Sequence, residues 1–230
     1  MTGPPGIPAL LVAAVERPAP ELAALLGHRR TASLEGVLAA RARDWAAVVA
    51  PGRVRASRGD LAAGARTAFE QLGGSVLVAW PALGHWRSEH AAAALDDLAH
   101  GCDVSIGPLF DGGLYLLALA RPEPEILALL DGQRLGDVPR PGDAGAGGGA
   151  APAGVGGAEG RAAPTGAGGA EGRAAPSGRA GLPAALDAVQ GAGLAVGLLH
   201  AERGLRTVAD LRAALADPML DPELAAILRG

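Results

Sequence analysis

The residues best placed to do chemistry in this 230-residue chain lie in and beside one short loop, Gly107-Pro108-Leu109-Phe110-Asp111-Gly112-Gly113, which runs on into Leu114-Tyr115. Two adjacent glycines next to a carboxylate mark either a tight turn or a place where the backbone comes close to a ligand. Alone, an Asp-Gly pair more often means the turn. Other chemistries are poorly served. All 20 basic residues are arginines, so there is no P-loop lysine, Schiff-base lysine or lysine base. The single cysteine, Cys102, excludes an internal disulfide and a cysteine-cluster metal site, and it reads as a small core residue. His28, His85, His90, His100 and His200 show no metal-ligand spacing, and no nucleophile-elbow motif supports Ser-His-Asp catalysis. Asp96 and Asp97 read as the solvated face of a helix. Arg58-Gly59-Asp60 invites an adhesion reading, but Asp60 is better explained as a helix N-cap.

The elements that must position that loop follow from periodicity. Ser75–Ala79, an Ala-rich helix over Ser88–His100 and a strand over Asp103–Ile106 make a βαβ unit, and the Asp-Gly-Gly turn sends Leu114–Ala120 back as a third extended run. Upstream, Ile7–Val15 suits a central strand, Pro18–Leu26 a helical turn or two, and Ser33–Arg43 an amphipathic helix with Ser33 as its cap. Trp45–Val49 reads as a strand stopped by Pro51-Gly52, and Arg53–Ser57 as a short edge strand. Asp60 caps a helix reaching Leu72. Downstream, Pro183–Gln190 is helical, Gly193–Leu199 is a strand, Leu205–Ala216 is an amphipathic helix with Thr207 as cap, and Asp221–Leu228 is a final helix.

Between these halves, residues 131–180 are dominated by Gly, Ala and Pro. Gly154–Thr165 recurs as Gly166–Ser177 with two substitutions. Such a segment buries too little apolar surface to offset its ordering entropy, so it reads as a disordered insert. The expected organisation is one domain from 1–130 and 181–230, interrupted by 131–180. The alternation predicts an α/β three-layer sandwich with a mainly parallel, Rossmann-like sheet, whose ligands bind beyond the carboxyl ends of the strands. The net charge of −4 gives no basis for attraction to nucleic acid or anionic membrane. No apolar run approaches the ~18 residues that span a bilayer. Met1–Val15 has no basic residue ahead of its apolar stretch, so it suits a first strand better than a leader. The composition fits the cytoplasm.

Arg58-Gly59-Asp60-Leu61 with Arg66, Ala68 and Phe69, the strand Ser75–Ala79, and Gly107-Pro108 with Asp111-Gly112-Gly113-Leu114-Tyr115-Leu116 together resemble a bacterial group. These are the glycosyltransferase-A-like proteins of the arsenosugar-biosynthesis type, distant relatives of the guanylyltransferases of molybdenum-cofactor and deazaflavin-cofactor synthesis. The resemblance covers roughly residues 8–130 and 182–216. It implies a nucleotide-diphospho-sugar transferase fold, a nucleotide-activated substrate, and a divalent cation (Mg²⁺ or Mn²⁺) held by aspartates. It also makes Asp111 the candidate catalytic carboxylate. Gly107, Pro108, Asp111, Gly112, Gly113, Tyr115, Arg58, Asp60 and Arg206 are then the candidate substrate-binding set.

The departures bear on that chemistry. Where the family carries a lysine-containing loop after the first strand, this chain has Arg17-Pro18-Ala19-Pro20-Glu21, with Arg29 and Arg30 following. The Gly-Ser-Asp-x-Pro turn is replaced by Ala79-Trp80-Pro81-Ala82-Leu83, and Trp80, His85 and Trp86 crowd its place. The Asp-Val-Asp-Thr segment becomes Gly204-Leu205-Arg206-Thr207, which keeps Thr207, Asp210 and Leu211. Mg²⁺ or Mn²⁺ needs hard oxygen ligands, so the expected metal ligands are lost, whereas a guanidinium at Arg206 can pair with a diphosphate. Three readings follow. The chain is a weakened or inactive transferase-like protein that still binds a nucleotide or nucleotide sugar; an active metal-independent transferase using Arg206, Arg29 and Arg30; or a non-enzymatic interaction protein on the same scaffold. All three expect a cleft without converging carboxylates beside Gly112.

Overall fold

The computed structural model describes residues 8–16, 18–55, 60–131 and 181–230. Arg17, Arg58 and the 131–180 repeat region beyond Asp131 up to position 180 lie outside the described residues. Among the described residues are six strands and seven helices: β1 (Ala9–Val12), α1 (Pro20–Val49), β2 (Val54–Arg55), α2 (Leu61–Leu72), β3 (Val76–Ala79), α3 (Ser88–Ala99), β4 (Val104–Pro108), β5 (Leu114–Leu119), α4 (Pro124–Leu130), α5 (Leu182–Ala192), β6 (Val196–Leu198), α6 (Val208–Ala216) and α7 (Pro222–Arg229). They build one mixed sheet of order β2-β1-β3-β5-β4-β6. β1 pairs parallel with β2 and β3, and β4 pairs parallel with β6, while β5 runs antiparallel to both β3 and β4.

The sheet is covered on both faces, which is why its strands are apolar without alternation. Leu11, Val76, Val78, Val104, Ile106, Leu117 and Leu119 face α2, α4 and α5. Leu10, Val12, Leu77, Leu116 and Ala118 face α1 and α3. Each fully buried leucine contributes about 2–3 kcal/mol of transfer free energy. A third cluster joins Leu22, Leu26, Leu34 and Leu38 of α1 to Leu205, Leu211, Leu224 and Leu228 of the C-terminal segment. No helix among the described residues is long and apolar enough to cross a membrane.

Several sequence expectations need correction. β3 and β4 run the same way but are not neighbours, because β5 returns between them. The strand expected at Trp45–Val49 is the end of α1. Leu34, Leu38, Ala42, Trp45 and Ala46 are buried along one stripe at three- and four-residue spacing, and that helical period overrides the local strand preference. Ser33 is no cap. It lies inside α1 and its hydroxyl donates to the Arg29 carbonyl (3.1 Å); the actual break is Gly27, at φ 75°. Helix α4 was not foreseen. Cys102 is part-exposed at the α3–β4 turn rather than in the core, with burial and the charges of Asp97 and Asp103 raising its thiol pKa. Asp97 turns inward and accepts a 2.6 Å hydrogen bond from the fully buried Ser105.

Candidate functional site

Three segments meet at the carboxyl edge of the sheet. The first follows β1 and contains Glu16. The second is the β4–β5 loop, in which Leu109 N–H donates to the Gly113 carbonyl (2.8 Å) and Gly113 N–H donates to Asp111 Oδ1 (2.9 Å). Gly112 sits there at φ 83°, the left-handed region that glycine tolerates. The third is the stretch 202–206, which runs across the edge as a rail. Glu202 N–H donates to Pro108 O (3.0 Å), Phe110 N–H to Glu202 O (3.1 Å), and Leu205 N–H to Ala82 O (2.9 Å).

The rail ends at Arg206, which is only 7% exposed. Its guanidinium lies between two carboxylates, Glu16 Oε2 at 2.8 Å and Asp111 Oδ2 at 3.4 Å. The expectation of a cleft without converging carboxylates is therefore overturned. The acidic pair is present beside Gly112 and is closed on an arginine. Arg206 Nε is buried without a hydrogen-bond partner, since the approach to Asp111 is long and poorly aligned. A Cβ at Gly113 would collide with the Arg206 guanidinium, so a side chain there would have to displace it. What lies close to the double glycine is the protein's own Arg206 side chain, in place of the ligand that the sequence offered as one reading.

A divalent cation does not fit these donors. Glu16 and Asp111 are taken by a guanidinium, and no group of three or more His, Cys, Asp or Glu side chains among the described residues could hold a metal. Space is short too: the void lined by Glu16, Trp80, Pro81, Leu34, Leu38 and Arg206 measures about 10 Å³.

The other predicted residues divide between this cluster and the frame around it. Gly107 and Pro108 end β4, where the register shifts against β5. Tyr115 is 1% exposed and packs across Gly107; burial, then the nearby Glu202 charge, pushes its hydroxyl pKa up to about 12. Asp60 caps α2, accepting from Ala63 N–H at 3.0 Å. Arg58 lies outside the described residues. Arg30 is committed elsewhere: Nε and Nη2 donate to the Ile227 and Leu228 carbonyls (2.8 and 2.7 Å), capping the end of α7. Trp80 is core, and Trp86 stacks on Trp45 (centroids 4.3 Å apart), so both fill space as aromatic residues do in cores.

Thr207 caps α6 as its sequence predicts. Its hydroxyl accepts from Asp210 N–H (3.1 Å) and donates to Asp210 Oδ2 (2.8 Å), while that oxygen also accepts from the Thr207 and Arg206 N–H groups (2.9 and 3.2 Å). This capping box orients the backbone that carries Arg206. Thr207→Ala is expected to lower unfolding free energy by about 1 kcal/mol in urea titrations.

Sequence reasoning missed Glu16 and Glu202, neither of which carries a local motif. Glu202 Oε1 is shared by Arg87 (2.5 Å) and His90 Nε2 (3.2 Å). His90 is 5% exposed and packs on Tyr115 with centroids 5.2 Å apart. Burial lowers its pKa below 6.5, against the opposing pull of Glu202. The unfolded chain then takes up this proton at higher pH than the folded chain. Stability should fall as pH drops through 6.5 towards the lower folded value, then level off. Melting temperatures from pH 8 to 5 check this: the wild type should lose more than His90→Gln, and equal losses would remove His90 as the cause.

No protein-family model and no curated protein matches the chain. A solved structure does, a protein described as a candidate nucleotide-diphospho-sugar transferase from Desulfovibrio desulfuricans G20. It is 18% identical, with a TM-score of 0.55, and the match covers 96% of this chain and 92% of that one. The likeness is one of architecture: this chain has a mixed α/β fold similar to that of this candidate transferase.

Proposed function

We propose that the protein is a divergent, nucleotide-diphospho-sugar transferase-like protein of the arsenosugar-biosynthesis type that binds a nucleotide or nucleotide sugar without a divalent cation and turns it over weakly or not at all, because Arg206 occupies the two converging carboxylates rather than because carboxylates are missing. In this reading residues 1–130 and 181–230 form the domain and 131–180 its insert. One observation carries the proposal: the guanidinium of Arg206 lies between Glu16 and Asp111 at the sheet's carboxyl edge, touching each through a single nitrogen. A guanidinium carries five N–H donors, more than these two contacts use, and phosphate oxygens are acceptors that its planar fork pairs with well. Asp111, Gly112 and Gly113 shape the loop around it, and Tyr115 with Gly107 and Pro108 supports that loop from below. Arg30 is removed from the catalytic alternative by its bonds to α7.

The test is a thermal-shift screen of nucleoside diphosphates and nucleotide sugars, with and without Mn²⁺. A ligand that binds only the folded chain must raise its melting temperature. The expected result is a shift of equal size with and without Mn²⁺, lost in Arg206→Ala, with little or no transfer or hydrolysis. A shift that requires Mn²⁺, or one unchanged in Arg206→Ala, contradicts the proposal. The second reading, a non-enzymatic interaction protein, is favoured by the 10 Å³ left beside Arg206. It predicts no shift with any nucleotide.

A further inference from the structure

A groove of about 540 Å³ opens on the other side of Leu205, between the Leu83–His85 turn, the 202–205 rail, the C-terminal end of α6 and the N-terminal end of α7. This is the size of a small-molecule site. Its floor is apolar, made by Leu83, Leu205, Leu220 and Leu224, and Met219, 86% exposed, forms a flexible apolar lip. Three carboxylates, Glu202, Asp217 and Asp221, stand on its rim with two guanidiniums, Arg41 and Arg203, and the imidazole of His85.

The rim is not balanced. Arg41 donates to the Gly84 carbonyl (2.6 Å) and pairs with Asp221 (2.7 Å), and Glu223 lies 3.5 Å from the same guanidinium as a second carboxylate. Arg203 lies 3.7 Å from Asp210, with its guanidinium carbon 5.4 Å from the Phe110 ring centroid. Glu202 is held by Arg87 and His90. Asp217 differs from all of these. Among the described residues it has no cationic partner, and its Oδ1 accepts only from the Met219 N–H (2.8 Å). The helix ends add to the imbalance. Asp217 is the C-cap of α6, where a helix presents carbonyl oxygens and partial negative charge, and the last turn holds no basic side chain to offset it. The positive end of α7 is already answered, because Asp221 accepts from the Glu223 and Leu224 N–H groups (2.9 and 3.3 Å).

We propose that this groove binds a small organic monocation, with its ammonium group at Asp217 and the carbonyl end of α6 and its apolar body on the leucine floor. Charge and floor select the class together. An anion would meet the surplus carboxylate and the α6 end, while each guanidinium on the rim already faces a carboxylate. A metal ion needs several hard ligands, and no group of three or more His, Cys, Asp or Glu side chains among the described residues could supply them. A neutral body gains the floor and leaves Asp217 unanswered. An ammonium gives charged N–H donors to the carboxylate, and its body removes leucine surface from water. The groove shares only Leu205 with the lining of the void beside Arg206, so an amine binds here whether or not a nucleotide binds there.

The test is saturation-transfer NMR with titration, on the full chain, using probes of one shape and different charge: tryptamine, neutral tryptophol and anionic indole-3-acetate. Tryptamine should bind about fivefold more tightly than tryptophol, and indole-3-acetate should bind most weakly. Asp217→Asn keeps an acceptor for the Met219 N–H and removes the charge. It should weaken tryptamine about fivefold, the upper range for an ion pair open to solvent, and leave tryptophol unchanged. Asp187→Asn, at an exposed position on α5, should change neither, which separates the local carboxylate from net charge. Ala213→Trp, which fills the groove, should abolish tryptamine binding. Should that variant fail to fold, Asp217→Asn decides alone. No binding of tryptamine, tighter binding of indole-3-acetate, or tryptamine affinity unchanged in Asp217→Asn or in folded Ala213→Trp overturns the proposal.

Discussion

Replacing Arg206 with alanine is expected to cost the fold about 3 kcal/mol and to make a protein indifferent to Mn²⁺ into one that Mn²⁺ stabilises. Arg206 is 7% exposed, and its two partners keep only 26% and 22% of their side-chain surface in water. Removing one member of a buried ion pair leaves its counter-charges uncompensated, at a cost of about 3–5 kcal/mol when burial is complete. The partial exposure of Glu16 and Asp111 places this case at the lower end. The variant also brings two carboxylates together with no cation between them, which is the start of a hard-cation site. Mn²⁺ binding only the folded form would raise the melting temperature by mass action, worth about 2.7 kcal/mol at one hundred times the dissociation constant. Urea unfolding and thermal melts with and without Mn²⁺ read both effects. A variant whose melting temperature ignores Mn²⁺ would show that the guanidinium does not stand in a cation's place. Arg206→Lys should fall between, because an ammonium keeps the charge and loses the planar fork.

Gly107→Ala should destabilise the protein by about 2–3 kcal/mol although it adds one methyl group. A Cβ at this position would lie 2.6 Å from Tyr115 Cζ, well inside van der Waals contact. The ring cannot yield. It is 1% exposed, packed against Trp86 and His90, and tied by its hydroxyl, which donates to the His200 carbonyl (3.3 Å). Overpacking a core that cannot relax costs about 1–3 kcal/mol. A double variant with Tyr115→Leu separates this cause from backbone effects. Once the ring is gone, adding the methyl group should cost far less, so the two changes should be strongly non-additive. Strict additivity would show that the Gly107–Tyr115 contact is not the source of the loss.

These two sites mark the boundary between what a linear reading reaches and what it does not. The strands β1, β3, β4 and β5 were legible because a sheet covered on both faces leaves continuous apolar runs such as Val76–Ala79 and Leu114–Leu119. Asp60 and Thr207 were legible as caps, because a cap bonds to backbone three residues away and its partner is fixed by chain geometry. The loop Gly107–Gly113 was legible as a turn, with Gly112 at a φ that glycine tolerates. Trp45–Val49 was misread because five residues look the same in strand and helix until the stripe beginning at Leu34 is followed through them.

Composition and periodicity by themselves determined an α/β chain and its turns and caps, the Asp111-Gly112-Gly113 turn among them. Tertiary structure decided which charged groups meet beside that turn. Glu16, Asp111 and Arg206 stand far apart in the chain and meet only because parallel strands deliver their carboxyl ends to one edge. Ion pairing depends on distance in space, and no short-range pattern records that an arginine will arrive between two particular acids. The placing of β5 between β3 and β4 is of the same kind: neighbours in a sheet are chosen by long-range hydrogen bonding, which leaves no trace in local sequence.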